Sequence, residues 1–166
     1  MAFELVRVLR DEQLNILASV ANKVWHEFFP CILSEEQIDY MVDKFQSFHA
    51  MKKQMEEGYE YYFLKDNDEI CGYMDIHEET ADKKMFLSKL YLKKEHRGKG
   101  YAGRTLKKLF EMSNERKLNM VWLTVNKYNE HTIEVYEHMD FAKARTQVAD
   151  IGNGFVMDDY IMEKVL

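Results

Sequence analysis

From Phe3 to Val8, apolar and polar residues alternate weakly, the period of a short strand. The pattern then changes period. Leu14, Leu17, Ala18, Ala21, Val24, Trp25 and Phe28 recur at helical spacing, so one face of a helix is apolar, and Asp11 is placed to cap its start. Pro30 closes that helix, because proline brings no backbone N–H and clashes with the preceding turn. Ser34-Glu35-Glu36-Gln37 has capping-box spacing, with Ser34 as cap and Gln37 reaching back. It opens a helix carrying Ile38, Met41, Val42 and Phe45. A further helical stretch runs through Met51 and Met55 to Gly58, which can adopt the left-handed stop.

The middle of the chain turns to strands. Tyr59 to Lys65 and Glu69 to His77 are aromatic and β-branched runs, joined as a hairpin by the turn Asp66-Asn67-Asp68. Lys83 to Leu92 is the next strand, and the glycine-rich loop Arg97 to Gly103 leads into a helix with Leu106, Leu109 and Phe110 inside. Met120 to Val125 is a strongly apolar strand. Asn129 begins a short helix ending near Met139, and strands Ala142 to Asp150 and Met157 to Val165 flank the turn Ile151-Gly152-Asn153-Gly154. The order reads β-α-α-β-β-β-α-β-α-β-β, which implies an α/β chain (an α+β mixed sheet) with helices on both faces.

Composition narrows the function classes. The 166 residues carry 23 Lys plus Arg against 29 Asp plus Glu, a net charge of −6, with 46% apolar residues. That fits one domain over residues 1–166, with one proline and no glycine run to mark a linker. An acidic chain is a poor nucleic-acid binder. No apolar run approaches the roughly 18–20 residues that span a bilayer, and Met1 to Arg7 lacks the basic and apolar regions of a secretory leader. Cys31 and Cys71 are too isolated for a disulfide framework or a metal site, and read as two small buried side chains in a reducing compartment. A cytoplasmic location is the expectation.

The chemistry concentrates in Glu95-His96-Arg97-Gly98-Lys99-Gly100-Tyr101-Ala102-Gly103-Arg104. A helix start offers unpaired N–H groups and partial positive charge, and glycines there let the backbone close on an anion such as phosphate. Arg97, Lys99 and Arg104 add full positive charge to a chain that is acidic overall. The alternative is a surface turn whose glycines serve geometry alone. Two phosphate motifs can be set aside. A P-loop needs Ser or Thr after Gly-Lys, and here Gly98-Lys99 precedes Gly100. Gly98, Gly100 and Gly103 have dinucleotide-fingerprint spacing, but they follow several antiparallel strands and lack the later acidic residue.

Arg97-Gly98-Lys99-Gly100-Tyr101-Ala102 resembles the Arg/Gln-x-x-Gly-x-Gly/Ala motif of the GNAT superfamily of acyl-CoA-dependent N-acyltransferases. Leu90-Tyr91-Leu92 looks like the strand before that motif. Asn129, Tyr136-Glu137 and Phe141 resemble the family's later Asn-x-x-Ala-x-x-x-Tyr-Glu-x-x-Gly-Phe segment, with Thr132 and Asp140 replacing alanine and glycine. Aspartate tolerates a left-handed turn, so the second departure weakens the match little. The motifs cover roughly Leu90 to Phe141.

The resemblance implies a GNAT-like fold with a central, mostly antiparallel twisted sheet, and acetyl-CoA as cosubstrate without a metal. The pyrophosphate would lie on the amides of Arg97, Gly98, Lys99, Gly100, Tyr101, Ala102 and Gly103. The pantetheine arm would run along Leu90, Tyr91 and Leu92, where the strands before and after the loop diverge. Asn129 would hold the arm, and Tyr136 would sit near the thioester sulfur. The reaction needs a neutral amine attacking a thioester. An alkyl ammonium of pKa about 10.4 costs roughly 4–5 kcal/mol to use at pH 7 without help. A phenol near pKa 10 can protonate the leaving thiolate, so Tyr136 is the expected general acid. Its alternative is a core aromatic.

For the base, Asp75, His77, Glu78 and Glu79 cluster at a strand end that often borders the acceptor in this fold, with His77 and Glu79 as catalytic candidates and Asp75 as substrate-binding. The cluster also reads as a solvated strand end. A strand carboxylate used elsewhere in the family falls near Phe86 here, so a water relay is an alternative. Trp25 and Phe28 read as core, while His26 and Phe29 fall off the apolar face and are acceptor-pocket candidates. The acceptor expected is a small-molecule or peptide amine, with neither nucleic acid nor membrane as partner. The apolar face of the last strands fits a homodimer or pairing within one chain. Set against the enzyme is a non-catalytic acyl-CoA-binding or regulatory domain of the same fold, which would need the glycine loop but not Tyr136.

Overall fold

In the computed structural model, which describes residues 3–166, strand and helix boundaries follow the changes of hydrophobic period closely. Met1 and Ala2, the start of the stretch read for a leader, lie outside the described residues. The elements are β1 (Phe3–Arg7), α1 (Asp11–Phe28), α2 (Glu35–Phe45), α3 (Phe48–Glu56), β2 (Glu60–Asp66), β3 (Glu69–Glu79), β4 (Lys84–Leu92), α4 (Tyr101–Glu115), β5 (Met120–Asn126), α5 (Glu130–His138), β6 (Ala142–Gly152) and β7 (Phe155–Val165). Three helices, rather than the two in the sequence order, precede β2. Ser47 caps α3 by accepting from the Ala50 N–H, which separates α3 from α2. The strand order is β1-β2-β3-β4-β5-β7-β6; β4 pairs with β5 in parallel, and β1–β2, β2–β3, β5–β7 and β6–β7 pair antiparallel. This is the mixed, mostly antiparallel sheet expected.

The backbone falls into two compact units. The first comprises the described residues up to His77 together with Lys89–Tyr101, and the second comprises Glu78–Ser88 with Ala102–Leu166. In the first, Leu14, Leu17, Val20, Ala21 and Val24 of α1 pack with Met51, Tyr61, Phe63 and Tyr73. Arg10, not Asp11, is the N-cap of α1, and the Gln13 side chain accepts from the N–H groups of Leu9 and Arg10. At α2, Ser34 accepts from the Gln37 N–H as expected, while the Gln37 side-chain amide lies against Met41 Sδ. The β2–β3 turn has Asn67 and Asp68 at φ 51° and 68°, the double left-handed geometry of a tight hairpin. Gly72 has no room for a side chain, since a Cβ there would sit 2.1 Å from the Tyr91 carbonyl oxygen. Cys71 is buried, whereas Cys31, after Pro30, is exposed, against expectation.

In the second unit, Lys84–Leu87 pair in parallel with Met120–Leu123, the two strands being connected through α4, a β-α-β crossover. The parallel register ends at Leu87↔Leu123, while β5 stays paired with β7 as far as Asn126↔Asp159. Leu106, Leu109, Val121, Leu123, Ile133, Tyr136, Phe141 and Met162 are buried here. The end of α5 bears out the reading of Asp140. It adopts φ 70°, and the N–H groups of Asp140 and Phe141 bond the carbonyls of Glu137 and Tyr136. β6 and β7 form a long hairpin within the chain.

Candidate functional site

The glycine loop joins a single helical turn, Lys94–His96, to α4. Gly98 and Gly100 adopt φ 77° and 81°, values other residues take only with strain. A Cβ built on either would meet nothing within 4 Å, so the space above both glycines is open. That suits an anion drawn close to backbone N–H groups. Gly98, Lys99 and Gly100 are exposed. Two members of the predicted set behave differently. The Arg97 N–H is taken by the Lys94 carbonyl at 3.3 Å, so the free donors start after it. Gly103 lies inside α4, where a Cβ would make an ordinary van der Waals contact with Met139 Sδ at 3.9 Å.

Arg97 also turns its side chain away from the loop. Its guanidinium carbon lies 4.7 Å from the centre of the Phe28 ring, and Nε donates to the Leu92 carbonyl at 3.3 Å. Burial lowers its pKa, and Nη2 is sealed without a hydrogen-bond partner among the described residues. The aromatic residues at the end of α1 therefore hold the chain's own cation. Phe29, predicted to line an acceptor pocket, is 5% exposed and packs on Trp25, Phe28 and Tyr91, whereas Phe28 is half-buried. Phe29, the C-cap, keeps helical dihedrals and bonds the Trp25 carbonyl, so its ring lies beside that of Trp25, four residues earlier on the apolar face. His26 is exposed, with Nδ1 2.8 Å from the Asn22 carbonyl and Nε2 2.7 Å from Asp39.

The titratable residues on β3 take separate partners. Asp75 is fully buried, which removes it from any acceptor surface as the structure stands. Its charge faces Lys89 and Tyr61. His77 is half-buried, stacked on Tyr59 at 4.3 Å, with Nδ1 lacking a partner among the described residues. Glu79 accepts from Trp122 Nε1 at 2.5 Å, and Glu78 pairs with Arg116 at 3.1 Å. Phe86 stacks on Trp122 at 4.2 Å. Leu90, Tyr91 and Leu92 are half-buried at the end of β4.

In the second unit, Asn129 is the N-cap of α5, and its side chain makes no capping hydrogen bond. Tyr136 is 6% exposed and lies edge-on to Phe141 at 5.4 Å. Burial pushes its hydroxyl well above the usual phenol range, which keeps the proton in place at neutral pH.

Two buried ionisable groups escaped the sequence reading. Lys89 on β4 is 6% exposed, and Nζ donates to the Phe45 carbonyl at 2.5 Å, to Gln54 Oε1 at 3.0 Å and to the Tyr61 hydroxyl. Burial brings its pKa down to about 8, with Asp75 opposing the shift. The available signal was its alternation with Met85 and Leu87, which put a lysine in an inward position. Asp159 on β7 is 3% exposed and pushed up to about 6 by burial and by Asp158. It pairs in register with Asn126, and its Oδ1 has no hydrogen-bond partner among the described residues.

Comparison with known proteins bears on the fold and the family. The chain is 27% identical to an uncharacterised N-acetyltransferase of Lactobacillus delbrueckii subsp. lactis, over 64% of this chain and 64% of that protein. Its fold is similar to that of the PaiA N-acetyltransferase from Thermoplasma acidophilum in complex with coenzyme A, with a TM-score of 0.77 at 22% identity over all of both chains. It is also similar to a variant of spermidine N-acetyltransferase from Vibrio cholerae, with a TM-score of 0.70 at 17% identity over 98% of this chain and 93% of that one. At these identities the structural likeness is one of fold. The model of the acetyltransferase (GNAT) family matches residues 18–141, and the chain belongs to that family.

Proposed function

We propose that this protein is an N-acetyltransferase that moves an acetyl group from acetyl-CoA to a primary amine of a small molecule or peptide, in the cytoplasm and without a metal. The observation that carries the reading is the pair of left-handed glycines, Gly98 and Gly100, with open space above them at the start of α4. Acetyl-CoA bound there supplies an acetyl group activated as a thioester. Gly98, Lys99, Gly100, Tyr101 and Ala102 would hold the pyrophosphate through backbone N–H groups, with Lys99 adding charge. Leu90 and Leu92 would offer main-chain groups to the pantetheine arm, and Asn129 a side-chain amide. The acidic balance of the chain favours a cationic acceptor. The spermidine enzyme among the proteins of similar fold is consistent with an amine acceptor.

Burial keeps the Tyr136 hydroxyl protonated at neutral pH, as a proton donor must be, and makes its transfer to a thiolate of ordinary pKa about 8.5 more uphill, so the donor role asks for proton transfer concerted with C–S cleavage. Of the base candidates, His77 is the one with a ring nitrogen not already committed. The test is thiol release from acetyl-CoA across polyamines, peptides and other amines, for wild type, Gly100→Glu and Tyr136→Phe. Wild type turns over with at least one amine. Gly100→Glu, which puts a side chain and negative charge into the open space, loses CoA binding by calorimetry. Tyr136→Phe keeps CoA binding and loses about 10²–10⁴-fold in kcat if proton transfer limits the rate. Intact CoA binding without turnover by wild type would favour the non-catalytic acyl-CoA-binding domain.

A further inference from the structure

The loop from Arg97 to Gly100 is held from outside rather than by its own packing. Its glycines touch nothing within 4 Å at their Cβ positions, while the residues on either side, His96 and Tyr101, are only 6% and 7% exposed. The Tyr101 hydroxyl donates to Asp66 Oδ2 at 2.5 Å. Its ring stacks on Phe3 at 5.3 Å and 13°, and Phe3 is the cross-strand partner of Asp66. Ring and hydroxyl therefore rest on one residue pair of β1 and β2. The same β2–β3 turn reaches the other end of the loop. Glu69 Oε1 lies 3.3 Å from His96 Nε2, an ion-pair distance without hydrogen-bond alignment, and the Lys93 N–H donates to the Cys71 carbonyl at 2.8 Å. Glu69 is exposed, so its contribution is the weaker of the two.

We propose that the Asp66–Tyr101 hydrogen bond tethers the glycine loop to the β2–β3 turn and so sets the loop for the pyrophosphate of CoA, making both side chains positioning residues for cosubstrate binding. The inference rests on the reading of the loop given above. Tyr101 is the first residue of α4, so fixing its side chain fixes where the first N–H groups of that helix point. Asp66 Oδ1 is buried without a hydrogen-bond partner among the described residues. Asp66 is half-buried, and a carboxylate with one sealed oxygen near an anion site is unfavourable for both stability and ligand unless it has a task, which the Tyr101 hydroxyl supplies. The phenol ring of Tyr101, predicted as part of the cosubstrate site, faces this turn, so its share in binding passes through the backbone.

The experiment is calorimetric titration with CoA of wild type, Tyr101→Phe, Asp66→Ala, the double variant and Asp66→Asn, each checked for folding by circular dichroism and thermal melting. Tyr101→Phe and Asp66→Ala should each weaken CoA by about tenfold, the scale of losing a preorganised contact. The double variant should be no weaker than either single one, and Asp66→Asn, which keeps an acceptor, should stay within about threefold of wild type. In Asp66→Ala the loss should appear in KM for acetyl-CoA rather than in kcat. Folded variants that bind CoA as wild type does, or losses that add in the double variant, overturn the tether. If Tyr101→Phe does not fold, the contrast of Asp66→Asn with Asp66→Ala decides in the same way. A wild type that does not bind CoA overturns the reading of the loop and the tether with it, a result distinct from binding that the variants leave intact.

Discussion

Each compact unit buries an ionisable side chain, and the two are held in opposite ways. In the first, Lys89 sends its three ammonium hydrogens to the Phe45 carbonyl at the end of α2, to Gln54 on α3 and to Tyr61 on β2, with Asp75 facing it. Gln54 Nε2 also donates to the Phe45 carbonyl at 3.2 Å, and the Tyr61 hydroxyl donates to Gln54. Next to this group, the Tyr73 hydroxyl donates to Gln46 at 2.8 Å. In the second unit, Asp159 has a like charge, Asp158, as neighbour and one oxygen without a hydrogen-bond partner among the described residues. A satisfied network joins two helices and two strands, which is structural work. An unsatisfied carboxylate raised toward neutral pH costs stability, and such groups concentrate at functional sites.

The sharpest way to break this comparison is Lys89→Met. The variant leaves the Phe45 carbonyl with its bond from Gln54 and Gln54 Oε1 with its bond from Tyr61, so few hydrogen bonds are orphaned. What it leaves is Asp75, fully buried, without its countercharge. Leaving a buried charge without the opposite charge that faces it costs stability, about 1–3 kcal/mol once the ammonium's own burial cost is recovered, while removing both is often close to neutral. Urea denaturation at pH 7 should show that loss for Lys89→Met and recovery of most of it in Lys89→Met with Asp75→Asn. A single variant as stable as wild type would make the network incidental. The pH dependence of wild type follows from the lowered pKa. Between about 8 and the ordinary 10.5 the unfolded chain binds the extra proton, so the Lys89 contribution makes stability rise with pH across that window.

Asp159→Asn tests the other side and should move stability the opposite way. A carboxyl held at about 6 against an ordinary 3.8 corresponds to about 3 kcal/mol. Its pKa is raised, so between 3.8 and 6 the folded state binds the extra proton, and the cost grows as pH rises and is complete above 6. The asparagine variant should therefore be more stable than wild type at pH 7 by up to about 3 kcal/mol, and equal to it near pH 3. If Asp159 takes part in proton transfer, the same variant loses the acidic limb near pH 6 from kcat/KM for the amine. A variant that is neither more stable nor altered in its pH profile would show a carboxylate satisfied in solution.

The parts of this molecule legible in sequence are those written in local patterns. The β2–β3 turn, the Asp140 stop, the separate helix and strand periods and the glycine loop each depend on residues within a few positions of one another. Long-range partners were not legible. Asp75 looked like one of four titratable groups at a strand end because its countercharge, Lys89, comes from another strand. Phe29 looked like a pocket wall because it stands at the margin of the α1 apolar face, and its partner Tyr91 comes from a distant strand. Tyr101 is named by the motif, but its tether to Asp66 lies 35 residues away. Arg97 supplied charge on paper, whereas Phe28 and the Leu92 carbonyl take up its side chain.

The smallest expected effect belongs to the exposed counterpart of these buried charges, His26. Its Nε2 approaches Asp39 to 2.7 Å, closer than the 3.0 Å between Lys89 and Gln54. Distance alone would rank it high. Both partners, however, are open to water, with 38% and 62% of their side chains exposed, so solvent screens the pair and an ordered geometry gains little over hydration. The His26 pKa is raised, first by the Asn22 carbonyl facing Nδ1 and then by the hydrogen bond to Asp39. A raised histidine contributes its stabilisation below the ordinary 6.5 and loses it as pH rises through the folded value. His26→Ala should therefore cost about 0.5 kcal/mol or less at pH 5.5 and less still at pH 8, measured by urea midpoints at both pH values. The protonated ring also uses both nitrogens as donors, to Asn22 and Asp39, and carries a positive charge that repels a cationic amine. Acceptor KM should then stay within about twofold of wild type in His26→Ala. A KM raised tenfold with stability unchanged would return His26 to the acceptor site and show that an exposed, screened pair can matter for function where it does not for folding.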